Sequence, residues 1–494
     1  MSDSAAMSDN DPVSRYIPPL AIPLLVALAM YGVVMFTPRV LYDGDTFWQL
    51  AAGQKMLELG RVLKTDPFSY TMPGATWHTH EWLSEIFLAL AYRVGGWSGV
   101  VALGALTTGL AVFIMGRWMA RFVPPLTTLA GLALAFYAMS PSTLLRPHLL
   151  ALPIMAFWVT SLLKAREQDR APSFWLLPLM TLWANMHGGY IFGLALIGPF
   201  ALEALVSAPR EKWLDVIWRW GLFGVLALGA ALLTPHGIEG LIFPFKVMSM
   251  KSLKDIVEWK AADFSQPTPF EEAILAVLLV AFVRGVKVPW VRTLVLLGLL
   301  AMALQHIRHI IVLAVVAPLL LAEPLGKALE PEHRSDFGRY ARPTLIVALA
   351  AFLGLTAARF IDPLVRKDDV HSPVSAFNSV PPQVRATRVF NSYALGGYMI
   401  FKGVPVFIDG RADMYGDDFT AQYLKIARST DPAVVGAALK KWNIGWVILE
   451  PDTAAIKAME KMPGWKKTWS DKAAVVFLPV DQVRSTSLPP STTR

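Results

Sequence analysis

The feature that most constrains this chain is a series of eleven apolar stretches, each roughly 15 to 22 residues long, separated by short charged loops. They lie near residues 17–38, 98–116, 125–140, 147–164, 173–186, 188–207, 215–234, 271–284, 290–305, 308–323 and 343–361. Segments of this length can cross a hydrocarbon core about 30 Å thick, and backbone groups in lipid must be hydrogen-bonded within the segment. The stretches are therefore predicted to be transmembrane helices. The composition agrees, because only 17% of the residues are charged, against about a quarter in soluble domains.

The distribution of Lys and Arg predicts the orientation of these helices, because basic loops face the cytoplasm. The predicted cytoplasmic segments are the N-terminus and loops 117–124, 165–172, 208–214, 284–290 and 324–342. The predicted outer segments are loops 39–97, 141–146 and 235–270, the turn near His306 and the tail from residue 362. The basic residues cluster in these cytoplasmic loops, at Arg117–Arg121, Lys164–Arg170 and Arg210–Lys212. Anionic lipid therefore accounts for the net charge of +8 without a nucleic-acid partner. The first stretch, Tyr16–Phe36, is long and lacks a cleavage pattern, which indicates a retained helix.

One further apolar segment, Glu81–Val94, would invert every later loop if it crossed the membrane. We expect an interfacial or re-entrant helix that ends at Gly95–Gly96. The domain boundary is predicted near residue 362, with a transmembrane domain over 1–362 and a soluble domain over 363–484.

The predicted orientation of the helices places most of the unusual polar residues on the outer side of the membrane or just beneath it. They are Asp43, Asp45, His78, His80, Glu81, Glu85, Arg146, His148, Asn185, His187, His236, Glu258, His306, Arg308 and His309. Polar groups at membrane depth are costly and usually line a cavity or a site. A single histidine is often a satisfied structural group, but seven of the nine histidines lie on this side.

The first outer loop begins with Asp43 and Asp45 on either side of Gly44, directly before a helical pattern that starts at about Thr46. This position predicts Asp45 as a helix N-cap at the membrane surface. Capping alone is one interpretation. A carboxylate at this boundary can also act as a general base toward a hydroxyl group.

The run Trp77-His-Thr-His-Glu-Trp, farther along the loop, has residue types that bind metals. His78 and His80 would share a face on a strand but diverge on a helix. Metal binding, hydrogen bonding to a substrate and structural packing all remain open. A divalent cation is compatible with this chemistry, but no cofactor is indicated because no cluster has convincing ligand spacing. The absence of cysteine excludes disulfides and thiolate sites.

These outer segments resemble the GT-C superfamily, integral membrane glycosyltransferases that use polyprenyl-phosphate-linked sugars. The region from Asp43 to Leu83 is similar to their acidic catalytic motif, the membrane-surface helix and the aromatic run after it. Trp183–Tyr190, Gln305–His309, Val389–Tyr398 and Val406–Asp417 are similar to motifs of bacterial members. Many relatives carry adjacent acidic residues where this chain has Gly44 between two. That leaves open which carboxylate is the base, and the position at the helix start favours Asp45 over Asp43.

The resemblance implies an inverting transfer of a hexose or pentose from a polyprenyl-phosphate donor to a lipid, glycan or protein acceptor. It places the chain in the bacterial inner membrane, with its active side and C-terminal domain in the periplasm and membrane lipids around it. The implied substrate or donor-phosphate ligands are Arg308, Arg146, His148, His80, Glu81, His187, His306, His309 and Glu258. Arg146 could instead extend to lipid headgroups, and Glu258 could line the acceptor side.

Three alternatives remain. The Asp-Gly-Asp spacing matches a metal motif of nucleotide-sugar transferases, but it lies on the face where such donors are not expected. A transporter or flippase of a lipid-linked sugar would need polar residues through the depth of the bundle and internal repeats, whereas the polar residues gather near one face. A membrane scaffold with a binding tail would leave the first-loop carboxylates without a role.

The tail after residue 385 has shorter apolar runs that alternate with helical patterns, which is typical of a small α/β domain. Strands are predicted at Arg388–Asn391, Pro405–Asp409, Gly445–Leu449 and Ala473–Leu478, with helices near 417–428, 432–442 and 453–462. The charged loop after Asp409 is either an internally paired Arg–carboxylate loop or a surface that docks on the membrane site or binds an acceptor. Residues 485–494 are rich in Ser, Thr and Pro and are predicted to be disordered.

Overall fold

The computed structural model describes residues 20–329 and 341–486. Each predicted apolar stretch contains a helix. In chain order these are α1 (Ala21–Phe36), α3 (Trp82–Met119), α4 (Pro125–Met139), α5 (Pro147–Glu167), α6 (Leu177–Met186), α7 (Tyr190–Ser207), α8 (Trp213–Ala231), α10 (Pro269–Arg284), α11 (Trp290–Gln305), α12 (Ile310–Leu329) and α13 (Ala341–Ile361). The outer segments add α2 (Asp45–Leu59) and α9 (Gly237–Met248), and the second of these had no counterpart in the sequence prediction.

Among the described residues, six helical segments are long and apolar enough to cross a membrane. They are Trp82–Met119, Pro147–Glu167, Tyr190–Ser207, Arg210–Ala231, Ile307–Leu329 and Pro343–Ile361. Three shorter apolar helices accompany them, at Ala21–Phe36, Phe174–Met186 and Trp290–Gln305. The chain is a helical membrane protein, as predicted, and the number of eleven spans stays a prediction.

Helix α3 is broken at the predicted place. Gly95 and Gly96 leave helical geometry, and Gly96 has a φ of 56°, in the left-handed region that favours glycine. A Cβ on Gly95 would lie 2.5 Å from Cε1 of Phe360 in α13, so the break also admits close packing. Residues 82–94 thus form a helix of their own before the bundle helix begins. Its depth in the membrane stays a prediction.

Helix α5 lies at the centre of the bundle, because 78% of its most apolar 18-residue segment is buried. The buried share of the corresponding segment of α13 is only 6%. The expectation that polar groups gather near one face is wrong in one respect. At the ends of α7, α11 and α12 that are opposite to the predicted outer side, the Arg292 guanidinium donates to Glu203 at 2.9 Å and to Glu323 at 2.9 Å. The buried arginine pairs with both carboxylates, as a buried charge requires.

The C-terminal domain contains a four-stranded sheet in the order β1-β2-β4-β3. The strands are β1 (Val389–Asn391), β2 (Trp446–Leu449), β3 (Trp465–Ser470) and β4 (Val475–Pro479); β1 pairs with β2 in parallel and the other pairs are antiparallel. The helices are α14 (Val374–Ser379), α15 (Pro382–Arg385), α16 (Gly396–Phe401), α17 (Ala412–Ala427), α18 (Pro432–Lys441), α19 (Ala455–Met459) and α20 (Val480–Thr486).

Three details of the sequence prediction for this domain change. The predicted strand Pro405–Asp409 is absent from the sheet, and only Val406 forms a bridge, to Ser69 of the first outer loop. Strand β3 was missed because its sequence, Trp-Lys-Lys-Thr-Trp-Ser, is mostly exposed at the sheet edge. The predicted disordered segment 485–494 begins inside α20, and residues 487–494 lie outside the described residues, as do 1–19 and 330–340.

The first outer loop and the C-terminal domain share a core. The Tyr70 hydroxyl donates to the Val389 carbonyl at 2.7 Å, and the Thr71 hydroxyl donates to the Phe407 carbonyl at 2.7 Å. Between these segments, Arg411 is fully buried and donates to Asp66 and Asp409 at 2.7 Å each. The charged loop after Asp409 is therefore internally paired and docked at the same time.

Candidate active site

Asp45 does not cap α2, which corrects the sequence prediction. The helix begins at Asp45, Gly44 occupies the N-cap position, and the N-cap side-chain hydrogen bond is absent. Instead Asp43 accepts the Asp45 backbone N–H at 3.2 Å and the Thr46 hydroxyl at 3.3 Å. The Asp45 side chain is 25% exposed, so its carboxylate stays accessible to a substrate. Helix α2 itself is mostly buried rather than lying open on a membrane surface.

Arg146 is the centre of a cluster of three carboxylates. Its guanidinium contacts both oxygens of Asp43, one of them from Nη2 at 2.5 Å. The same Nη2 lies 3.3 Å from Oδ2 of Asp45, and Nη1 lies 2.5 Å from Oε1 of Glu258. One cation thus contacts three segments: the loop before α2, the start of α5 and the second large outer loop (residues 235–270, the second outer loop below). Bidentate contacts of this kind fix geometry as well as charge.

The pKa values of the two aspartates in the cluster are shifted in opposite directions. Burial disfavours ionisation of Asp43, but the Arg146 guanidinium outweighs it and holds the Asp43 pKa below its usual range. Burial raises the pKa of Asp45 to about 7, and the negative charges of Asp43 and Glu258 act in the same direction. Trp48 donates its indole N–H to Asp45 at 2.9 Å. A carboxylate with a pKa near neutrality is suited to accept a proton.

Glu81 lies next to this cluster, together with three of the predicted histidines. Its Oε1 is 3.5 Å from Nε2 of His187 and 3.8 Å from Nε2 of His80, and the His148 and His187 ring centres are 6.1 Å apart. Burial raises the pKa of Glu81 to about 7 and lowers the pKa of both His80 and His187. The imidazoles are therefore neutral hydrogen-bonding groups near pH 7.

Arg308 is a second cation of the site, and within the described part of the chain its guanidinium has no hydrogen-bond acceptor. Its guanidinium stacks over the Trp259 ring at 4.3 Å, beside the residue that carries the Glu258 carboxylate. Within 20–329 and 341–486, it makes no ion pair with a carboxylate within 4.0 Å. A half-buried guanidinium with uncommitted donors can bind an anionic ligand.

The two histidines that flank Arg308 have structural contacts. His306 forms a hydrogen bond through Nδ1 with the Trp259 carbonyl at 2.8 Å, and His309 forms one with the Met302 carbonyl at 3.3 Å. Because both rings are engaged with backbone, they position the turn that carries Arg308. The other predicted site residues lie in or beside the carboxylate cluster.

The C-terminal domain approaches this site closely, which agrees with the docking alternative left open from the sequence, although the glycines that permit it were not predicted. A Cβ on Gly410 would lie 1.9 Å from Oδ1 of Asp45, and one on Gly397 would lie 2.1 Å from the Gly44 carbonyl oxygen. A Cβ on Gly44 would meet the Ala394 carbonyl oxygen at 2.6 Å. Only glycine permits such backbone approach, which explains why Gly44 separates the two aspartates. In the sequence, the glycines in Asp-Gly-Arg and Leu-Gly-Gly-Tyr were the available signal for this close backbone approach.

The same domain also holds the second outer loop. The Asp417 carboxylate accepts the backbone N–H groups of Lys251 at 3.0 Å and of Ser252 at 2.8 Å. Glu258 follows a few residues later, so this contact helps to set its position. Within the part of the chain that the structure describes, no three His, Asp or Glu side chains are grouped as metal ligands.

Comparison with solved structures identifies the fold. The archaeal oligosaccharyltransferase AglB from Archaeoglobus fulgidus, in complex with an inhibitory peptide and a dolichol-phosphate, gives a TM-score of 0.55 at 11% identity over 95% of this chain and 74% of that one. ArnT from Cupriavidus metallidurans in the apo state gives 0.51 at 14% identity over 94% and 98% of the two chains. Neither a protein-family model nor a curated protein sequence matches. The chain therefore shares its fold with AglB and ArnT, in agreement with the fold that the resemblance implied.

Proposed function

We propose that this chain, a membrane protein with the GT-C fold, transfers a sugar from a polyprenyl-phosphate donor to a hydroxyl group of a lipid, glycan or protein. The observation that carries the proposal is the accessible Asp45 carboxylate with a raised pKa, held between Trp48 and Arg146. The binding of dolichol-phosphate by AglB, a protein of the same fold, supports the donor class. The reaction would take place at the periplasmic face of a bacterial inner membrane.

Asp45 acts as the general base in this proposal. Its carboxylate takes the proton of the acceptor hydroxyl while that oxygen forms a bond to the anomeric carbon of the donor. The bond between the anomeric carbon and the phosphate oxygen breaks, and the phosphate leaves with the electron pair. Attack from the side opposite the phosphate inverts the anomeric centre.

Arg308 is the proposed ligand of the leaving phosphate. Among the described residues its donors have no acceptor, whereas those of Arg146 are engaged by Asp43, Asp45 and Glu258. Arg146 therefore orients the base and balances the acidic cluster. A preorganised cation aimed at developing negative charge is a large contribution to catalysis.

A transporter or flippase is the second candidate. The charged cluster of Glu203, Arg292 and Glu323 lies at the opposite helix ends and is internally paired, so it supports a structural role better than a path for a lipid-linked sugar. The accessible Asp45, by contrast, has the properties of a reactive group.

The test is binding of undecaprenyl phosphate to the purified protein and to an Arg308→Ala variant. Hydrogen bonds to charged groups contribute about 1.5 to 3 kcal/mol, so the dissociation constant should rise about 10- to 100-fold. Arg284→Ala is the matched control, because Arg284 is an exposed arginine at the C-terminal end of α10, the end predicted to be cytoplasmic. Equal affinities of wild type and Arg308→Ala would remove Arg308 from the donor site. Mass spectrometry of envelope glycans with and without the protein would then identify the sugar and the acceptor.

A further inference from the structure

Helix α9 lies in the second outer loop, between α8 and α10. It has 12 residues, which at a rise of about 1.5 Å per residue gives a length of about 18 Å. This is shorter than the hydrocarbon core of about 30 Å. The helix therefore cannot cross the bilayer, and its orientation depends on what each of its faces contacts.

One face of α9 is fixed to the membrane domain at the outer ends of its helices. The Phe243 ring lies 5.2 Å from the His78 ring and 4.8 Å from the His80 ring, measured between centroids. One turn earlier, the Gly240 carbonyl accepts the hydroxyl of Tyr190, the first residue of α7, at 3.0 Å. Contacts in successive turns hold the helix along this boundary.

The other face exposes four large apolar side chains. Ile238, Ile242, Phe245 and Met248 are 52% to 58% exposed. Their spacing of four, three and three residues places them on one side of a helix. A contiguous apolar surface of this kind marks a contact with lipid or protein rather than with water.

Exposed apolar side chains also occur on the membrane helix that precedes α9 in the chain. Val225 and Leu233, near the end of α8, are 69% and 67% exposed, and α9 begins six residues after α8 ends. Glu239 and Lys246, both exposed, form a polar stripe between the two apolar faces of α9. Lys251 and Lys254 follow, also exposed. Apolar side chains bordered by lysines fit an acidic lipid surface.

We infer that α9 is an interfacial helix whose Ile238, Ile242, Phe245 and Met248 side chains insert into the outer lipid leaflet, with Lys246, Lys251 and Lys254 bound to acidic phospholipid headgroups. Its opposite face contacts His80, which neighbours Glu81. The lipid surface thus lies one helix away from the candidate active site. The inference stands independently of sugar transfer.

The test uses nitroxide labels at single cysteines introduced into the full-length protein, which has no cysteine of its own. Ile242→Cys reports on the apolar face and Glu239→Cys, on the same helix, reports on the polar stripe. The labelled protein is reconstituted in vesicles of phosphatidylcholine and phosphatidylglycerol. The ratio of oxygen accessibility to nickel-chelate accessibility should be several-fold higher at 242 than at 239.

High nickel-chelate accessibility at 242, equal to that at 239, would mean that the apolar face is in water and would overturn the inference. A label at 242 shielded from both reagents would also overturn it, since protein or a second copy would then cover the face. Replacing the three lysines by glutamine should lower the oxygen-to-nickel ratio at 242 in the acidic vesicles and leave it unchanged in phosphatidylcholine alone. The same loss in both lipids would overturn the headgroup contact.

Discussion

Asp43 and Asp45 are two residues apart and contact the same guanidinium, yet their surroundings shift their pKa values in opposite directions. Asp43 is 3% exposed and accepts hydrogen bonds from Arg146, Thr46 and the Asp45 backbone. Asp45 keeps accessible surface and shares Arg146 with two other carboxylates. One residue is therefore suited to structure and the other to proton transfer.

Asp45→Asn should lower the transfer rate by about 10² to 10⁴-fold, the usual contribution of a positioned base. The asparagine oxygen can still accept the Trp48 N–H, so thermal stability should change little. Steady-state transfer and thermal unfolding measure the two effects. A stable Asp45→Asn protein with the wild-type rate would contradict the assignment.

Asp43→Asn should show the reverse balance. The loss of its charged contacts with Arg146 should lower the free energy of unfolding by about 1.5 to 3 kcal/mol, while transfer falls less than in Asp45→Asn. Thermal unfolding of the two variants side by side provides the comparison. If Asp43→Asn were stable and the less active of the two, the base would be Asp43.

The transfer rate should depend on pH through Asp45. The base must be ionised, and its pKa is raised to about 7, so the rate should fall as the pH decreases below about 7. Glu81 has a pKa raised to about the same value, and Glu81→Gln separates the two groups. An acidic limb that persists in Glu81→Gln belongs to Asp45, and one that disappears belongs to Glu81.

Much of the candidate cluster follows from sequence because the predicted helix orientation groups Asp45, Arg146, Glu81 and Glu258 on one side of the membrane. Their individual roles do not follow. Sequence could not show that Arg146 contacts three carboxylates while Arg308 has no carboxylate partner among the described residues. This difference depends on contacts between residues more than 100 positions apart. Sequence also could not show that the His309 ring forms a hydrogen bond through Nδ1 with the Met302 carbonyl. Its role as a substrate ligand stays a prediction.

At the scale of elements, apolar runs predicted helices well and edge segments poorly. Lipid-facing and buried helices need continuous apolar sequence, so each left a clear pattern. Strand β3 lies at an exposed edge of the sheet, so its sequence is not apolar. The segment Pro405–Asp409 forms a bridge only at Val406, with a loop more than 300 residues earlier in the chain. Helix α9 was missed because its interruption by Gly240 and Pro244 resembles a loop.

The close approach of the segment around Gly410 to the start of α2 gives a prediction at this scale. Gly410→Ala would place a methyl group against Oδ1 of Asp45 and displace that carboxylate. Misplacement of a reacting group by about 1 Å costs about 10²-fold in rate, so transfer should fall by this order. Binding of undecaprenyl phosphate should be retained.

Gly464→Ala is the matched control, because a Cβ there meets no atom within 4 Å. It should match the wild type in rate and in stability. Wild-type transfer by a folded Gly410→Ala protein would show that the C-terminal domain does not position Asp45.

For the whole molecule, the predicted orientation is directly testable. A reporter fused after residue 365 should be active in the periplasm, and one inserted near residue 168 should be active in the cytoplasm, because basic loops remain inside. Paired fusions to alkaline phosphatase and green fluorescent protein make the measurement. A cytoplasmic tail would require an odd error in the number of spans and would place the carboxylate cluster on the wrong face for a periplasmic reaction.

The shared core of the first outer loop and the C-terminal domain has a consequence for biosynthesis. In the predicted orientation Tyr70 and Thr71 are exported early, but their partners Val389 and Phe407 are 319 and 336 residues farther along the chain. Domains usually complete folding in the order of synthesis, and here the first exported segment must wait for the last. During that interval, Asp66 lacks Arg411 and the loop exposes its aromatic residues. In that orientation, periplasmic chaperones and proteases would encounter a nascent protein whose first loop completes its folding only when translation is nearly complete.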